Sequence, residues 1–188
     1  MRRRTSLLVC LVASGAGCGG HESVSVRLPN GFTLRTVREP ALSIALPRSW
    51  RSVAAGERSE GAELRLQSEA LTGSNPPMKL LAFARRAPAN MNVLQTRVPP
   101  SLTFDEFRRR EARQLKAAKK LTNLRQSIAH LPAGRALHLS YRMGGLALDQ
   151  YFVLHGKFMY VLTYVTASEG APRYKKIFDQ SAHTFQLR

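Results

Sequence analysis

The sequence has 188 residues and a strong excess of positive charge, with 29 Lys and Arg against 12 Asp and Glu and a formal net charge of +17. This length suits one domain with a proper core, and the charge favours anionic partners but says nothing about the fold. The sequence has two cysteines, Cys10 and Cys18. Removal of residues 1–17, which contain Cys10, would leave Cys18 as the only cysteine and exclude an intramolecular disulfide.

Residues 1–17 have the layout of a secretory signal peptide. Three arginines, from Arg2 to Arg4, precede a mostly apolar run, and small residues follow from Ala13 to Gly17. The apolar run is far shorter than the roughly 20 residues that span a bilayer, so we do not expect it to remain as a transmembrane anchor. The pattern predicts export from the cytoplasm.

Cys18 directly follows the small residues, and Gly15-Ala16-Gly17-Cys18 resembles the lipobox of bacterial lipoproteins. The resemblance implies that the Cys18 thiol is lipidated, and that acyl chains hold the mature protein at the outer face of the cell membrane. Gly15 stands where the lipobox usually has an aliphatic residue, and a plain signal peptide with an incidental cysteine is the alternative. Residues 18–31 would then form a lipidated tether, and residues 32–188 a single domain.

The first half of this domain has mostly strand patterns. Alternating or continuous apolar residues, bounded by proline and glycine breakers, predict strands. The predicted strands are Phe32 to Val37, Leu42 to Leu46, Glu63 to Gln67 and Met78 to Arg85.

The segment from Arg86 to Ser101 is predicted to be an irregular loop, because prolines punctuate it. Long ordered loops often carry function, so Asn90 and Asn92 are candidate contacts to a ligand or a partner protein. A purely structural loop is the alternative.

A helix is predicted from Thr103 to about Lys120. Thr103 and Glu106 have the spacing of a capping box at its start. Its surface is unusually rich in cations, which are Arg108, Arg109, Arg110, Arg113, Lys116, Lys119 and Lys120. These are candidate contacts to anionic lipid headgroups or envelope phosphates, at about 1 kcal/mol for each cation near an anionic bilayer. A solvated face without a partner is the alternative.

Strands and a final helix complete the predicted domain. Gly144-Gly145 marks a hairpin turn, and both alternating sets of residues in the last two strands are apolar, which indicates a sheet covered on both faces. The final helix is predicted to begin near Pro172. The fold class is therefore α+β, with an antiparallel sheet flanked by helices; its later strands are Asn123 to His130, Arg135 to Met143, Leu146 to Leu154 and Lys157 to Thr166.

Three short motifs resemble the PsbP-like families. They are Leu42-Ser43-Ile44-Ala45-Leu46-Pro47-Arg48-Ser49-Trp50, Asn90-Met91-Asn92-Val93, and Leu131-Pro132-Ala133-Gly134-Arg135-Ala136 followed by Tyr160-Val161-Leu162-Thr163-Tyr164. The similarity is closest to actinobacterial lipoproteins with a PsbP/Mog-like domain, of the LpqN-like or DcrB-like kind. It implies an α/β/α sandwich around an antiparallel sheet, and an accessory or binding role.

The residues that could carry chemistry give little indication of catalysis. No histidine pair has metal-ligand spacing, so neither a metal site nor a cofactor is predicted. His138 is placed to face Asp149 and Ser140 across a hairpin, but no G-x-S-x-G nucleophile elbow is present. We therefore assign no catalytic residue, and we expect Trp50 to be a core or rim anchor.

Together these features predict a lipid-anchored, non-catalytic envelope protein that acts as a binding or accessory protein. The membrane, through the N-terminal lipid, and a protein of unknown identity are the expected partners. Nucleic acid is not expected, because the chain has an export signal and its basic helix has no exposed aromatic platform. An envelope hydrolase with an unrecognised site and a carrier of an apolar ligand are the alternatives.

Overall fold

The computed structural model describes residues 26–52, 79–117 and 120–188. The predicted signal peptide, Cys18 and the strand predicted at 63–67 lie outside these ranges. The described residues form strands and helices in the order β1 (Phe32–Val37), β2 (Leu42–Pro47), β3 (Arg51–Ser52), β4 (Lys79–Arg86), β5 (Ala89–Arg97), α1 (Phe104–Ala117), β6 (Thr122–Leu131), β7 (Gly134–Met143), β8 (Leu146–His155), β9 (Phe158–Ala167), α2 (Ala171–Ala182) and β10 (Gln186–Leu187). The predicted α+β class is confirmed.

Seven strands form one antiparallel sheet in the order β3-β4-β5-β9-β8-β7-β6. The chain runs from β6 to β9 as consecutive hairpins, and α1 connects β5 to β6, so that β5 lies against β9. The predicted turn at Gly144 and Gly145 is confirmed. Both residues have positive φ angles, of 55° and 83°, in the region that glycine adopts without steric cost.

A second, three-stranded sheet joins the start of the domain to its end. β2 lies between β1 and β10, and Ser43 pairs with Gln186. The Ser43 hydroxyl also donates a hydrogen bond to Gln186 Oε1 at 3.3 Å. No local pattern predicted this sheet, because its strands β2 and β10 are far apart in sequence.

One core lies between the seven-stranded sheet, the small sheet and α2. Side chains from the sheet, such as Leu162 and Tyr164, pack against Tyr174 and Phe178 of α2. Trp50 is 3% exposed and meets the Phe178 ring edge-on at 6.3 Å between centroids, so its prediction as an anchor is confirmed.

A second core lies on the opposite face, beneath α1. Because side chains alternate along β9, Val161 and Val165 point to this face while Leu162 and Tyr164 point to the other. Phe107 and Leu115 of α1 are buried here, and the Phe107 ring lies 5.6 Å from that of Phe152. The sheet is thus covered on both faces, as predicted.

The prediction of an irregular loop from Arg86 to Ser101 is wrong for most of this segment. Residues 89–97 form β5, a strand paired with β4 on one side and with β9 on the other. Its prolines lie outside the strand, at Pro88 before it and at Pro99 and Pro100 after it. Its polar residues hid its strand character, because Asn92, Gln95 and Thr96 are buried at positions where apolar residues are usual.

Candidate functional site

The start of α1 is fixed by the predicted capping box. Thr103 Oγ1 accepts a hydrogen bond from the Glu106 backbone N–H at 3.2 Å, and Glu106 Oε2 accepts one from the Thr103 N–H at 3.0 Å. The bond from the Thr103 N–H, and a second one that the Thr103 hydroxyl donates to Glu106 Oε2 at 2.8 Å, hold the pKa of Glu106 below its ordinary value of 4.5. The Arg135 guanidinium lies 4.2 Å from the centre of the Phe104 ring, which ties this end of the helix to β7.

The helix presents its arginines to solvent. Arg108, Arg109, Arg110 and Arg113 are exposed, whereas Phe107, Glu111 and Leu115 face the sheet. Asp105 forms ion pairs with Arg108 at 3.9 Å and with Arg135 at 3.3 Å. No other ion pair of an α1 arginine is found within the described ranges, so positive charge dominates this surface.

The arginines divide between two flanks of α1. Arg108 and Arg109 line a cavity of about 390 Å³ between the helix and β6, together with Ala112, Gln126, Ser127 and Ile128. At about 100° per residue, Arg110 points away from this cavity, and Arg113, one turn after Arg109, points to solvent between the two. We call the first surface the α1–β6 groove and the surface of Arg110 and Arg113 the outer flank.

Of the three lysines predicted to belong to this surface, the structure describes the side chain of one. Lys120 is exposed just beyond the helix. Lys116 lies in the last turn of α1, but its side chain is outside the described set, as is the whole of Lys119. Cys18, the predicted lipidation site, also lies outside the described residues.

Asn90 and Asn92 lie in β5 and not in a loop, which corrects that prediction. Asn92 is 1% exposed and points to the face beneath α1, where its Oδ1 has no hydrogen-bond partner among the described residues. A polar row crosses this face of the sheet next to it: Tyr141 donates to Gln150 Oε1 at 2.8 Å, and Gln150 Nε2 donates to Thr163 at 3.0 Å. Asn92 and the three residues of this row are each 3% exposed or less, whereas Asn90 is half-buried.

Glu111 is a buried carboxyl group on the sheet-facing side of α1 and is not among the predicted site residues. It is 2% exposed, and burial raises its pKa to about 7, with the charge of Arg110 opposing the rise. Its position in the middle of the apolar stripe of α1 was the signal that could have identified it. A group with this pKa changes its charge near neutral pH.

A hydrogen-bonded chain of side chains lies on the opposite face of the sheet. His138 Nε2 lies 2.9 Å from Asp149 Oδ1, and His138 Nδ1 lies 3.3 Å from Ser127 Oγ. The His138 ring stacks on Tyr151 with 4.2 Å between centroids. The predicted approach of His138 to Asp149 is confirmed, but the serine in contact is Ser127 of β6 instead of Ser140.

The hydrogen-bonded set of Ser127, His138 and Asp149 contains the residue types of acid–base catalysis. Its geometry differs from that of a nucleophile elbow. With a proton on Nε2 shared with Asp149, Nδ1 is free to accept the proton of Ser127. Ser127 lies on an extended strand, whereas the nucleophile of G-x-S-x-G enzymes lies on a sharp turn. Within residues 26–52, 79–117 and 120–188, no group of three or more His, Cys, Asp or Glu side chains could hold a metal ion.

Comparison with known proteins identifies the fold. No family model and no curated protein matches the chain. The solution structure of cyanobacterial PsbP (CyanoP) from Synechocystis sp. PCC 6803 is similar over 92% of this chain and 98% of its own, with a TM-score of 0.55 and 14% identity. The described chain therefore has a PsbP-like fold.

Two weaker structural similarities were also found. A protein from Bacteroides thetaiotaomicron matches 78% of this chain and 45% of its own with a TM-score of 0.44 and 11% identity. A protein of unknown function from Pseudomonas aeruginosa matches 84% of this chain and 97% of its own with a TM-score of 0.40 and 17% identity.

Among the described residues, neither helix has the length and apolar character needed to cross a bilayer.

Proposed function

We propose that the protein is an exported, lipid-anchored accessory protein of a bacterial cell envelope, whose domain faces an anionic surface through the outer flank of α1. The observation that carries this proposal is the exposure of Arg110 and Arg113 on one side of α1. Arg110 interacts electrostatically with the buried Glu111, and no salt bridge of either arginine is found among the described residues. The formal charge acts in the same direction: it is +17 for the whole sequence and 17 − 3 = +14 without Arg2, Arg3 and Arg4. The class of protein is a binding protein, not an enzyme.

The electrostatic argument concerns orientation. A lipid on Cys18 would already hold the domain near the membrane, so the arginines need only turn the outer flank toward it. Each cation near an anionic bilayer contributes about 1 kcal/mol, and the effect disappears within a Debye length of about 10 Å at moderate salt. The proposed contact is therefore short-ranged and sensitive to ionic strength.

Binding of the full chain to anionic liposomes tests the surface contact. Charge reversal of Arg110→Glu with Arg113→Glu is expected to reduce partitioning into vesicles with anionic phospholipid by about tenfold or more, and added salt is expected to reduce wild-type binding in the same way. Arg35→Glu with Arg38→Glu makes the same charge change at exposed positions on and next to β1 and serves as the matched control. Equal losses in both double variants would show that net charge, and not the outer flank, determines binding.

Intact mass and membrane partitioning in an actinobacterial host test the anchor. We expect the wild type to begin at Cys18 with added acyl mass and Cys18→Ala to move to the soluble fraction. A soluble, unacylated wild type would contradict the lipid anchor. The liposome result would still stand in that case, because it depends on α1 alone.

The Ser127–His138–Asp149 contacts favour an envelope hydrolase as a second candidate. Its test is hydrolysis of a p-nitrophenyl ester by the wild type, compared with Ser127→Ala and Ser140→Ala. Activity that is lost in Ser127→Ala and kept in Ser140→Ala would support the hydrolase. Activity that is absent, or unchanged by Ser127→Ala, would exclude Ser127 as its nucleophile.

A further inference from the structure

The outer edge of β6 is long, and no strand of the described residues covers it. β6 spans ten residues, eight of them exposed, and pairs with β7 on one side. No strand from residues 26–52, 79–117 or 120–188 pairs with its other side. Every second residue of such an edge turns its N–H and C=O away from the sheet, so the edge is a template for another extended chain.

Several devices usually prevent strand addition at a sheet edge, among them a very short edge strand, proline, lysine and bulges. β6 contains neither Pro nor Lys, and its irregular pairing is confined to its start, between Thr122 and Arg125. From Arg125 to Leu131 it continues in regular register with β7, which leaves a straight edge for a partner.

The surroundings of this edge combine apolar and cationic groups. Ile128 is 40% exposed and lines the α1–β6 groove with Ala112, while Arg108 and Arg109 form the helix side of the same groove. Arg125 is exposed on the strand itself. An extended chain paired with β6 would direct every second side chain toward α1, where carboxylates would meet the arginines, and the side chains between them would point to the other face of the sheet.

We propose that the α1–β6 groove binds an extended, acidic segment of a partner protein by addition of a strand to β6. Charge decides the occupant. A second copy of this chain would bring like arginines together in a protein that stays strongly basic, at 17 − 3 = +14, after loss of the three signal-peptide arginines. A strand with carboxylates at alternate positions would pair with these arginines. The inference rests on the proposed accessory function and supplies the chemistry of its partner. It uses the groove, which is a different flank of α1 from the one proposed to face the membrane.

Fluorescence anisotropy with the full chain and a synthetic probe tests strand addition. The probe is a labelled peptide of about ten residues in which glutamate and valine alternate, matched in length to β6. We expect saturable binding of this peptide and none of its lysine–valine counterpart. Two further probes carry N-methyl groups on alternate amides, one on each edge of the peptide; because only one edge pairs with β6, we expect one of them to bind and the other to fail.

Charge-reversal variants of the protein assign the surface. Arg108→Glu with Arg109→Glu is expected to raise the Kd for the glutamate–valine peptide by about tenfold or more, because both arginines line the groove. Arg110→Glu with Arg113→Glu makes the same charge change on the outer flank and is expected to alter the Kd by less than about twofold. Circular dichroism spectra of both variants establish that α1 still forms, and the N-methylated peptides test the proposal without any change to the protein.

Three results would overturn the proposal. They are failure of the glutamate–valine peptide to bind, equal binding of the two N-methylated peptides, and a concentration-dependent dimer of the chain that competes with the peptide. A dimer would assign the edge to a second copy. If the unmodified chain binds the peptide but does not bind anionic liposomes, the membrane contact is contradicted and strand addition is not. The two proposals therefore fail separately.

Discussion

The two helices cover opposite faces of the same sheet, but they are attached to it by different chemistry. On α2, aromatic packing is combined with satisfied polar groups: Tyr164 donates a hydrogen bond to Ser181 at 3.0 Å, and Ser181 donates one to the Ala45 carbonyl at 2.7 Å. Tyr151 donates to Asp179 Oδ1 at 2.8 Å. These bonds join α2 to both sheets at once.

On α1, two apolar side chains provide the attachment, and a carboxyl group lies between them. Phe107 and Leu115 are buried on either side of Glu111, and the capping box and Arg135 fix the start of the helix. The opposite surface of the helix is cationic and exposed. Aromatic packing and hydrogen bonds therefore hold α2, whereas α1 is held by apolar contacts around a carboxyl group of raised pKa and exposes cations to solvent.

The largest expected effect is on the α2 side, from Phe178→Ala. Phe178 packs against three aromatic rings, those of Trp50, Tyr164 and Tyr174. The cavity and the lost ring contacts are expected to lower the free energy of unfolding by about 4 kcal/mol, measured by urea denaturation. Phe107→Ala removes the equivalent ring from α1 and is expected to cost about 3 kcal/mol. An equal or larger cost for Phe107→Ala would reverse the proposed difference between the two faces.

The next largest effect is expected on the pH dependence of the free energy of unfolding, because Glu111 is buried beneath α1. Its pKa is raised from 4.5 to about 7 in the folded protein, so the folded state binds the proton more tightly than the unfolded state does. Its contribution to stability is complete below about pH 4.5 and declines as pH rises to about 7, by about 3 kcal/mol. Glu111→Gln is expected to remove this decline and to stabilise the protein at pH 8, as measured by urea denaturation across pH.

Glu169→Gln is the matched control for this experiment, because Glu169 is an exposed carboxyl group. It is expected to leave the pH dependence of the wild type unchanged. If Glu111→Gln and wild type lose stability in parallel between pH 4.5 and 7, another group is responsible.

The smallest effect is expected at the cap of α1. Thr103→Ala removes the hydroxyl that accepts the Glu106 N–H and is expected to lower the free energy of unfolding by about 1 kcal/mol. Ser101→Ala, at an exposed position two residues earlier, is expected to have almost no effect. If Thr103→Ala lowers the free energy of unfolding by much more than about 1 kcal/mol, α1 is held mainly at its start and not by Phe107 and Leu115.

The sequence by itself determined the elements whose signals are local. The Gly144-Gly145 turn, the Thr103 capping box and the apolar periodicity of β8 and β9 each depend on residues within a few positions of one another, and the structure confirms all three. The PsbP-like fold was also predicted, from three short motifs, and the similarity to CyanoP supports it. The cationic surface of α1 was visible as a count of arginines along one helix.

The tertiary structure alone decided which side chains are buried and which edges are covered. Asn92 is in a central strand because β4 and β9 take both of its edges, and Glu111 has a raised pKa because the sheet excludes water from it. The contact of Ser127 with His138 and the division of the arginines between two flanks depend on the register of β6 with β7 and on the rotation of α1 over the sheet. Local patterns report period and termination, but burial and edge exposure arise from residues distant in the chain, and only the folded structure brings those together.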